Sequence, residues 1–313
     1  MSIRIFTDSR CLEHQVPNGF PELPARLEQV LSGLETAGFA IEEAGEHPET
    51  DAAIAAVHDP IYVRRLEEAV ATGQAFIDTG DNPLSAGSWR AARAAVEVSL
   101  RAADWVFEDS GRRAVAAVRP PGHHAERAMA MGFCYFNNVA VAADYILRSQ
   151  GVQRVAIIDF DVHHGNGTQH LFEDRGDVLY ASVHQHPFYP GTGAAEEMGR
   201  DGGLGATMNV PLPAGSGDDT YGEVFAETLL PSLRRFRPEA LLISAGFDAW
   251  QGDPVGGMRV SREAFRDWGR WLGGIADDLC SGRVVVTLEG GYDLDALPGL
   301  AVAHCQGLDD SQS

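Results

Sequence analysis

Short, continuous apolar runs alternate along the chain with longer stretches in which apolar residues recur at helical spacing. The apolar runs cover residues 113–118, 155–160, 178–183, 240–244 and 283–288. The stretches with helical spacing cover residues 88–107, 137–148, 220–236 and 262–279. Because apolar runs of this length suit strands that are buried on both faces, we predict five β-strands with helices between them. This alternation predicts an α/β fold with a central, mostly parallel sheet flanked by helices.

Residue types that support catalysis are concentrated directly after the predicted strands. The segments concerned are 119–125, 159–169, 184–193, 246–254 and 289–293. Ligands of open α/β sheets bind beyond the carboxyl ends of the strands. We therefore expect five separate loops to converge on one site.

Length, composition and net charge indicate how many domains the chain forms and which classes of partner it could bind. The chain has 313 residues, 44% hydrophobic and 22% charged, which is typical of a globular protein. With no internal repeat or low-complexity linker, we predict a single catalytic domain over residues 1–313. The net charge of -21, with arginine as the only basic residue type besides histidine, argues against direct nucleic acid binding. Such acidity favours a cationic substrate, although a merely soluble surface explains it equally well.

The cellular location is predicted from the apolar runs and from the spacing of the cysteines. No run of about 18 apolar residues predicts a membrane span, and the first residues lack the apolar stretch of a signal peptide. The four cysteines form no CxxC pair; they are Cys11, Cys134, Cys280 and Cys305. We expect reduced thiols in a cytoplasmic protein. The sequence leaves homo-oligomerisation open.

A metal site is predicted after the strand at 155–160. Asp159, Asp161 and His163 alternate at period two and therefore point to one side of an extended chain. Such groups leaving a buried strand are costly unless a partner such as a metal ion compensates them; a turn cluster is the alternative. Asp248 leaves another apolar strand. One nitrogen and two oxygen donors would leave a position open for water, as in a catalytic zinc site.

Two further segments predict proton handling. His123 and His124 follow the rigid turn at 119–122. Neighbouring imidazoles cannot both be cations cheaply, so their pKa values should separate, which suits an acid/base pair. Tyr292 follows the glycine pair 290–291, and its hydroxyl could reach a developing oxyanion. Surface histidines and an ordinary turn tyrosine are the structural alternatives.

Taken together, these segments resemble the arginase/deacetylase superfamily, and within it the histone deacetylase family. The resemblance covers nearly the whole chain, including His14 and the segment 24–27. The matching motifs are RPPGHHA from Arg119, GFCYFNN from Gly132, IDFDVHHGNGTQ from Ile158, YPGTG from Tyr189, NVPLPAGSGDDTY from Asn209, SAGFDAWQGDP from Ser244 and LEGGYD from Leu288. The implied fold is the three-layer arginase/deacetylase fold, with its active site at the carboxyl ends of the strands.

The resemblance implies the site chemistry residue by residue. Asp161, His163 and Asp248 would bind a catalytic zinc ion. His124 would be the main general base and acid, and His123 a supporting, electrostatic histidine.

Further positions have supporting roles by the same resemblance. Tyr292 would hydrogen-bond the oxyanion. Asp159 would orient His123 and, together with Ser182, would help to hold a structural potassium ion. Residues expected to line or frame the substrate tunnel are Gly132, Phe133, Tyr189 and Gly291. Arg26 would lie behind the metal.

One match places the chain within the family. Asn166 would orient His124, at a position where class I deacetylases carry Asp, so Asn resembles class II. The short loop 182–189 also resembles class II. We predict a bacterial class II-like deacetylase. Asp81 is a candidate for the contact to the substrate backbone, and an ordinary turn residue is the alternative.

The implied reaction is hydrolysis of an N-acetyl amide, from acetyl-lysine or a similar small acetyl-amine, by a metal-bound water. An acetylpolyamine hydrolase on the same scaffold is the first alternative, but Val255 stands where one branch of polyamine-selective relatives carries an acid. Asp78 or Asp81 could supply that acid from another loop. An arginase-like two-metal hydrolase and a catalytically silent module that binds acetylated chains are more distant alternatives.

Overall fold

A computed structural model of the chain describes residues 3–108 and 113–310. The predicted domain also includes residues 1–2, 109–112 and 311–313, which lie outside the described residues. The strands are β1 (Ile3–Thr7), β2 (Ala40–Glu43), β3 (Arg113–Ala116), β4 (Val155–Asp159), β5 (Val178–Gln185), β6 (Thr207–Leu212), β7 (Ala240–Ala245) and β8 (Val284–Leu288). The α-helices are α1 (Pro24–Thr36), α2 (Thr50–Val57), α3 (Pro60–Ala71), α4 (Ser88–Glu108), α5 (Asn138–Ser149), α6 (Asn166–Phe172), α7 (Asp218–Val224), α8 (Leu230–Phe236), α9 (Arg262–Leu279) and α10 (Leu297–Asp310).

The strands form one eight-stranded sheet in the order β2-β1-β3-β8-β7-β4-β5-β6. Each pair of neighbouring strands is parallel, so the prediction of a mostly parallel sheet holds for every pairing in the described residues. The five predicted strands β3, β8, β7, β4 and β5 are neighbours at the centre of this order. Their carboxyl ends therefore meet along one continuous edge, where the expected loops converge.

The central strands are completely buried, which explains their continuous apolar sequences. Every residue of β4, β5, β7 and β8 is buried. The outer strand β2 has no buried residue, whereas β6 mixes buried with partly exposed positions. The sequences of both strands mix apolar with polar residues. Helices cover both faces of a parallel sheet of this kind.

The predicted helix over 220–236 is divided in the structure. It comprises α7, a π-helical turn at Phe225–Leu229 and α8. In the turn, the backbone N–H of Leu230 donates to the carbonyl of Phe225, five residues earlier. Pro231 follows and has no N–H with which to continue an α-helical hydrogen-bond ladder, which gives the change of ladder a physical reason.

An aromatic cluster supports the sheet beneath the predicted metal segment. Phe160 follows β4 and points away from the polar side, packing against Trp268 with ring centroids 5.2 Å apart. Phe247 and Phe265 complete the cluster, each with its ring 6.3 Å from that of Phe160. The period-two pattern thus places Asp159, Asp161 and His163 on one side, and Phe160 on the other side, where it contacts the core aromatic rings.

Two further observations concern the cysteines and the length of the helices. All four cysteines are buried free thiols. Among the described residues, no helix is long and apolar enough to cross a membrane.

Candidate active site

Three predicted metal ligands meet where β4 and β7 end. Asp161 and His163 follow β4, and Asp248 follows β7, its neighbour in the sheet. His163 Nδ1 lies 3.1 Å from Asp161 Oδ1 and 3.2 Å from Asp248 Oδ2. All three side chains are buried, and their donor atoms lie within 4.8 Å of one another. The structure therefore brings together the trio that the sequence predicts.

The donor set fits a divalent cation. No described residue donates a hydrogen bond to Asp248 Oδ2, although this oxygen is buried. Burial raises the pKa of Asp248 to about 7, and the nearby Asp161 carboxylate adds to this rise. Two buried carboxylates at this distance repel each other, and a cation between them would remove that cost. A buried carboxylate oxygen that accepts no hydrogen bond, a second carboxylate and an imidazole together form a set of ligands suited to a metal ion.

A glycine next to this cluster allows the close approach of β8. The backbone N–H of Gly290 donates to Asp161 Oδ2 at 2.8 Å. A Cβ atom at this position would collide with the carboxylates of both Asp161 and Asp248. Any side chain at residue 290 would displace these carboxylates, so the glycine is a structural requirement of the cluster.

The two predicted proton-handling histidines have different partners. His123 Nδ1 lies 3.0 Å from Asp159 Oδ2, whereas His124 Nδ1 lies 2.7 Å from Asn166 Oδ1. Burial alone would lower the pKa of His123, but Asp159 and Asp161 raise it to about 10. Burial and the charge of His123 hold the pKa of His124 well below its usual value. The surroundings therefore shift the pKa values of the two histidines in opposite directions.

Glu289 supports this pair, a role that the sequence analysis did not assign. It is fully buried directly after β8, and its Oε2 accepts from the backbone N–H groups of Gly122 at 2.7 Å and His123 at 3.1 Å. Its other carboxylate oxygen accepts from the Ser244 hydroxyl at 3.1 Å. The carboxylate therefore ties the histidine turn to β7 and β8. A glutamate at the end of a buried strand was the available signal.

A pocket of about 200 Å³ opens above these residues. Its lining comprises Asp81, Pro121, His123, His124, Gly132, Phe133, His163, Phe188, Tyr189, Val255, Gly290 and Tyr292. All five predicted loops contribute or adjoin lining residues, and the segments around Asp81 and Gly132 add to them. The expected convergence of loops is therefore present in the structure.

Aromatic rings form the walls. The Tyr189 ring lies 5.2 Å from that of His124, and the Phe133 ring lies 6.1 Å from that of Tyr292. Phe188, which the sequence analysis missed, stacks on His163 with centroids 5.2 Å apart. Its position next to Tyr189 in the same loop was the only signal for it.

The backbone at Gly132 and Phe133 bends so that this part of the pocket wall lies close to His124. Both have positive φ, +57° and +68° respectively. A Cβ atom at Gly132 would collide with the ring of His124. Only glycine combines this backbone conformation with such a close approach.

Tyr292 lies in the pocket wall, and its loop is anchored by Asp253. The Asp253 carboxylate accepts from the backbone N–H of Tyr292 at 2.7 Å and from that of Val255 at 2.9 Å. This residue, which the sequence analysis did not single out, therefore links the segment that carries Val255 to the tyrosine loop. Burial raises the pKa of Tyr292 well above its usual value, so its hydroxyl stays protonated as a hydrogen-bond donor.

Neither Arg26 nor Gly291 lines the pocket. Arg26 is buried behind the wall, where its guanidinium donates to the carbonyls of Gly291 at 2.6 Å and Glu289 at 2.5 Å and lies 4.7 Å from the Tyr292 ring centroid. It holds the tyrosine loop from behind. Gly291 faces Phe247 and Leu297 instead, and Gly290 takes the lining position. Gly290 rather than Gly291 lines the pocket because of the backbone conformation of this glycine pair, in which Gly291 has φ +116°.

The pair assigned to potassium occupies neighbouring strands. Asp159 of β4 and Ser182 of β5 are directly opposite each other in the parallel register. Asp159 Oδ2 also accepts from the Tyr180 hydroxyl at 3.2 Å, and Ser182 Oγ lies 2.8 Å from His184 Nδ1. The potassium role stays a prediction.

Comparison with known proteins agrees with this geometry. The family model described as "Histone deacetylase domain" matches residues 20–308. Histone deacetylase 14, chloroplastic, of Arabidopsis thaliana is 38% identical, covering 94% of this chain and 73% of the relative. The histone deacetylase-like amidohydrolase of Pseudomonas aeruginosa is 39% identical over 90% of this chain and 74% of its own length.

A solved structure matches nearly end to end. The acetylpolyamine aminohydrolase from Burkholderia pseudomallei superposes with a TM-score of 0.89 and 32% identity, covering 98% of this chain and 99% of that one. The all-parallel sheet, the buried Asp–His–Asp cluster, the paired histidines and these relatives lead to one conclusion. The chain belongs to the histone deacetylase family, and it is a metal-dependent deacetylase of the bacterial amidohydrolase type.

Proposed function

We propose that this protein is a zinc deacetylase that prefers an acetylated lysine side chain, or a simple acetyl-amine resembling it, over acetylated polyamines. The observation that carries this proposal is the buried cluster of Asp161, His163 and Asp248. This cluster forms the floor beneath an aromatic-walled pocket and contributes His163 to its lining. His124 lies beside this cluster, its ring 6.0 Å from that of His163. A structural potassium ion at Asp159 and Ser182 and a cytoplasmic location are parts of the same proposal.

Each residue of the site has a separate role in the proposed reaction. A zinc ion held by Asp161, His163 and Asp248 would polarise the acetyl carbonyl and lower the pKa of a water molecule. His124 donates from Nδ1 to Asn166, so its Nε2 is free to take the proton of the attacking water and later to return it to the leaving amine. His123, held as a cation by Asp159, contributes positive charge beside the developing oxyanion. The Tyr292 hydroxyl donates a hydrogen bond to that oxyanion, and acetate and the free amine leave.

The pocket walls favour a straight alkyl stem. Phe133, Phe188 and Tyr189 would enclose about three or four methylenes, and each buried methylene contributes about 0.8 kcal/mol. This gain is nearly the same for a lysine stem and for a polyamine stem. Selectivity must therefore come from the mouth, where a polyamine needs a carboxylate to offset desolvation of its internal ammonium.

Val255 lies in the pocket lining and offers no such carboxylate. Asp78 is engaged elsewhere, because it forms an ion pair with Arg65 and accepts from the backbone N–H of Ala130 at 2.7 Å. Asp81 lines the mouth and accepts from the Tyr189 hydroxyl at 3.0 Å. An acceptor in this place suits the backbone N–H groups of a peptide that carries the acetylated lysine.

Acetylpolyamine hydrolysis is the second candidate, and Asp81 is the observation that favours it. It is the one carboxylate among the described residues that line the pocket, and an internal ammonium could pair with it. The solved relative from Burkholderia pseudomallei is named an acetylpolyamine aminohydrolase.

The two candidates differ in kcat/KM on matched substrates. With an acetyl-lysine peptide and acetylspermidine or acetylputrescine compared at physiological salt, we expect the peptide to be favoured. A preference of more than about tenfold for the polyamine, or about 1.4 kcal/mol, would establish the second candidate instead. Val255→Glu should move the ratio toward polyamines by about 1 kcal/mol or more, whereas the uncharged control Val255→Gln should not.

The metal assignment has its own test. Elemental analysis of purified protein should find about one zinc per chain, and Asp248→Ala should hold much less, because one of three ligands is lost. The control His124→Ala removes a neighbouring buried side chain that is not a ligand, so its zinc content should match the wild type. Full zinc occupancy in Asp248→Ala would refute the ligand set.

A further inference from the structure

A continuous hydrogen-bonded chain runs from the proposed base to the surface. His124 Nδ1 lies 2.7 Å from Asn166 Oδ1, and Asn166 Nδ2 donates to Glu126 Oε1 at 2.5 Å. His170 Nδ1 in turn donates to the same carboxylate oxygen at 2.8 Å. The His124 side chain is buried, whereas the His170 side chain is 40% exposed. Neither Glu126 nor His170 had a role in the sequence analysis.

The chemistry of the Asn166 amide determines which group donates and which accepts in each of these hydrogen bonds. An ionised carboxylate only accepts hydrogen bonds, so Glu126 must face the NH₂ group of Asn166. The amide oxygen then faces His124 Nδ1, and an oxygen in that place requires a proton on Nδ1. The remaining nitrogen, Nε2, is left with its lone pair. The backbone carbonyl of His124, 3.3 Å from Asn166 Nδ2, supports the same orientation over a longer distance.

Glu126 itself is held firmly in place. Its backbone N–H donates to the carbonyl of Met129 at 2.9 Å, and its own carbonyl accepts from His58 Nδ1 at 3.0 Å. His58 is completely buried, and its Nε2 accepts from the backbone N–H of Asn137 at 2.9 Å. The carboxylate is therefore presented to Asn166 from a fixed backbone, as a positioning group requires.

We propose that Glu126 is a positioning residue that selects the Nδ1–H tautomer of His124 by fixing the orientation of the Asn166 amide. An asparagine alone could present either end to the imidazole, whereas an aspartate would accept without ambiguity. With Glu126 holding its NH₂ group, the neutral Asn166 presents only an acceptor oxygen to His124, as an aspartate would. The inference rests on the proposed role of His124 as the base, since only the Nδ1–H tautomer leaves Nε2 free to take a proton.

Two substitutions at Glu126 test the role of the acceptor. Glu126→Leu removes it, and we expect kcat on an acetyl-lysine peptide to fall about 10- to 100-fold with KM and zinc content unchanged. Glu126→Gln keeps an acceptor oxygen and should restore most of kcat. The matched control is Glu173→Leu, because Glu173 is similarly half-buried and pairs with Arg200 at 3.2 Å rather than with Asn166. Its kcat should equal the wild-type value.

A tautomer measurement does not depend on turnover. The ¹⁵N chemical shifts of the His124 ring, measured by NMR on zinc-loaded and metal-free protein, should show Nδ1–H alone in the wild type and in Glu126→Gln. Glu126→Leu should show an additional Nε2–H population. An unchanged tautomer together with an unchanged kcat in Glu126→Leu overturns the proposal. If the wild type shows the tautomer but hydrolyses no acetyl-amine, the proposed function fails while the positioning role stands.

A charge exchange provides a test that preserves side-chain volume. Asn166→Asp places a second carboxylate against Glu126, so we expect kcat to fall at least about tenfold. Adding Glu126→Gln to this variant should recover it, because the glutamine can donate to the new aspartate. Asn166→Asp with wild-type kcat, or a double variant with no recovery, contradicts the proposal even if Glu126→Leu does not fold.

Discussion

The floor and the mouth of the pocket are built in different ways. The floor residues Asp161, His163 and Asp248 are buried at the ends of neighbouring central strands. At the mouth, Asp81 and Tyr189 come from two loops that are 108 residues apart, and Tyr189 is 38% exposed. The groups proposed to act on the reacting bond therefore lie at the ends of buried strands, whereas the groups proposed to select the substrate lie on loops. We expect substitutions at the floor to affect kcat and those at the mouth to affect KM.

The largest effect is expected at the floor, from His124→Ala. Loss of the proposed base should lower kcat about 10²- to 10⁴-fold, the usual contribution of general acid–base catalysis. The zinc content should stay at the wild-type value, since the side chain is not a ligand. Steady-state kinetics and elemental analysis measure the two quantities. Near wild-type turnover would mean that another group is the base.

Tyr292→Phe should have the next largest effect. It removes one oxyanion donor, which costs about 2.7–4 kcal/mol, or about 10²- to 10³-fold in kcat. The ring is retained, so its contacts with Phe133 and the Arg26 guanidinium should persist and KM should change little. A large rise in KM with unchanged kcat would place Tyr292 with the mouth residues instead.

Lowering the pH should reduce the free energy of unfolding through His304, which is buried beneath the floor residues. This buried histidine packs under the site, its ring 5.1 Å from that of Phe160, and burial lowers its pKa to about 4. Between pH 6.5, near the unfolded-state pKa, and pH 4, the unfolded chain binds a proton that the folded protein does not, so stability falls as the pH falls. His304→Gln, which keeps a donor for the Phe265 carbonyl, should reduce this slope by up to about 1.4 kcal/mol per pH unit.

Urea unfolding at several pH values measures that slope, and the comparison is made on metal-free protein so that metal release does not contribute. An identical slope in the wild type and in His304→Gln would show that this histidine does not contribute to acid sensitivity.

The smallest effect is expected at the mouth, from Tyr189→Phe. The variant loses the hydrogen bond to Asp81 but keeps the aromatic wall, so a change of about 0.5–1.5 kcal/mol in kcat/KM, mostly through KM, is expected. The same assay on both substrate classes measures it. A fall in kcat as large as that of Tyr292→Phe would remove the distinction between floor and mouth.

The sequence was sufficient to predict the central strands and the floor, because both depend on short-range pattern. Strands buried on both faces have continuous apolar sequences, and Asp161, His163 and Asp248 follow such strands within a few residues. Parallel pairing then places these strand ends at one edge of the sheet. The three strands β1, β2 and β6 were not predicted, because polar residues interrupt their apolar sequences.

Contacts between distant segments were decided only by the tertiary structure. Arg26 and Gly291 are 265 residues apart, and Glu126 and Asn166 are 40 residues apart, yet each pair is joined by a hydrogen bond. Nothing in the local pattern shows which loop a side chain will meet, because loop paths are set by packing over the whole fold. For the same reason only the structure shows that Gly291, expected to frame the tunnel, faces Phe247 and Leu297 behind the pocket wall. The chemistry of the site could be identified from residues near strand ends, but the groups that orient it depend on how the loops pack together.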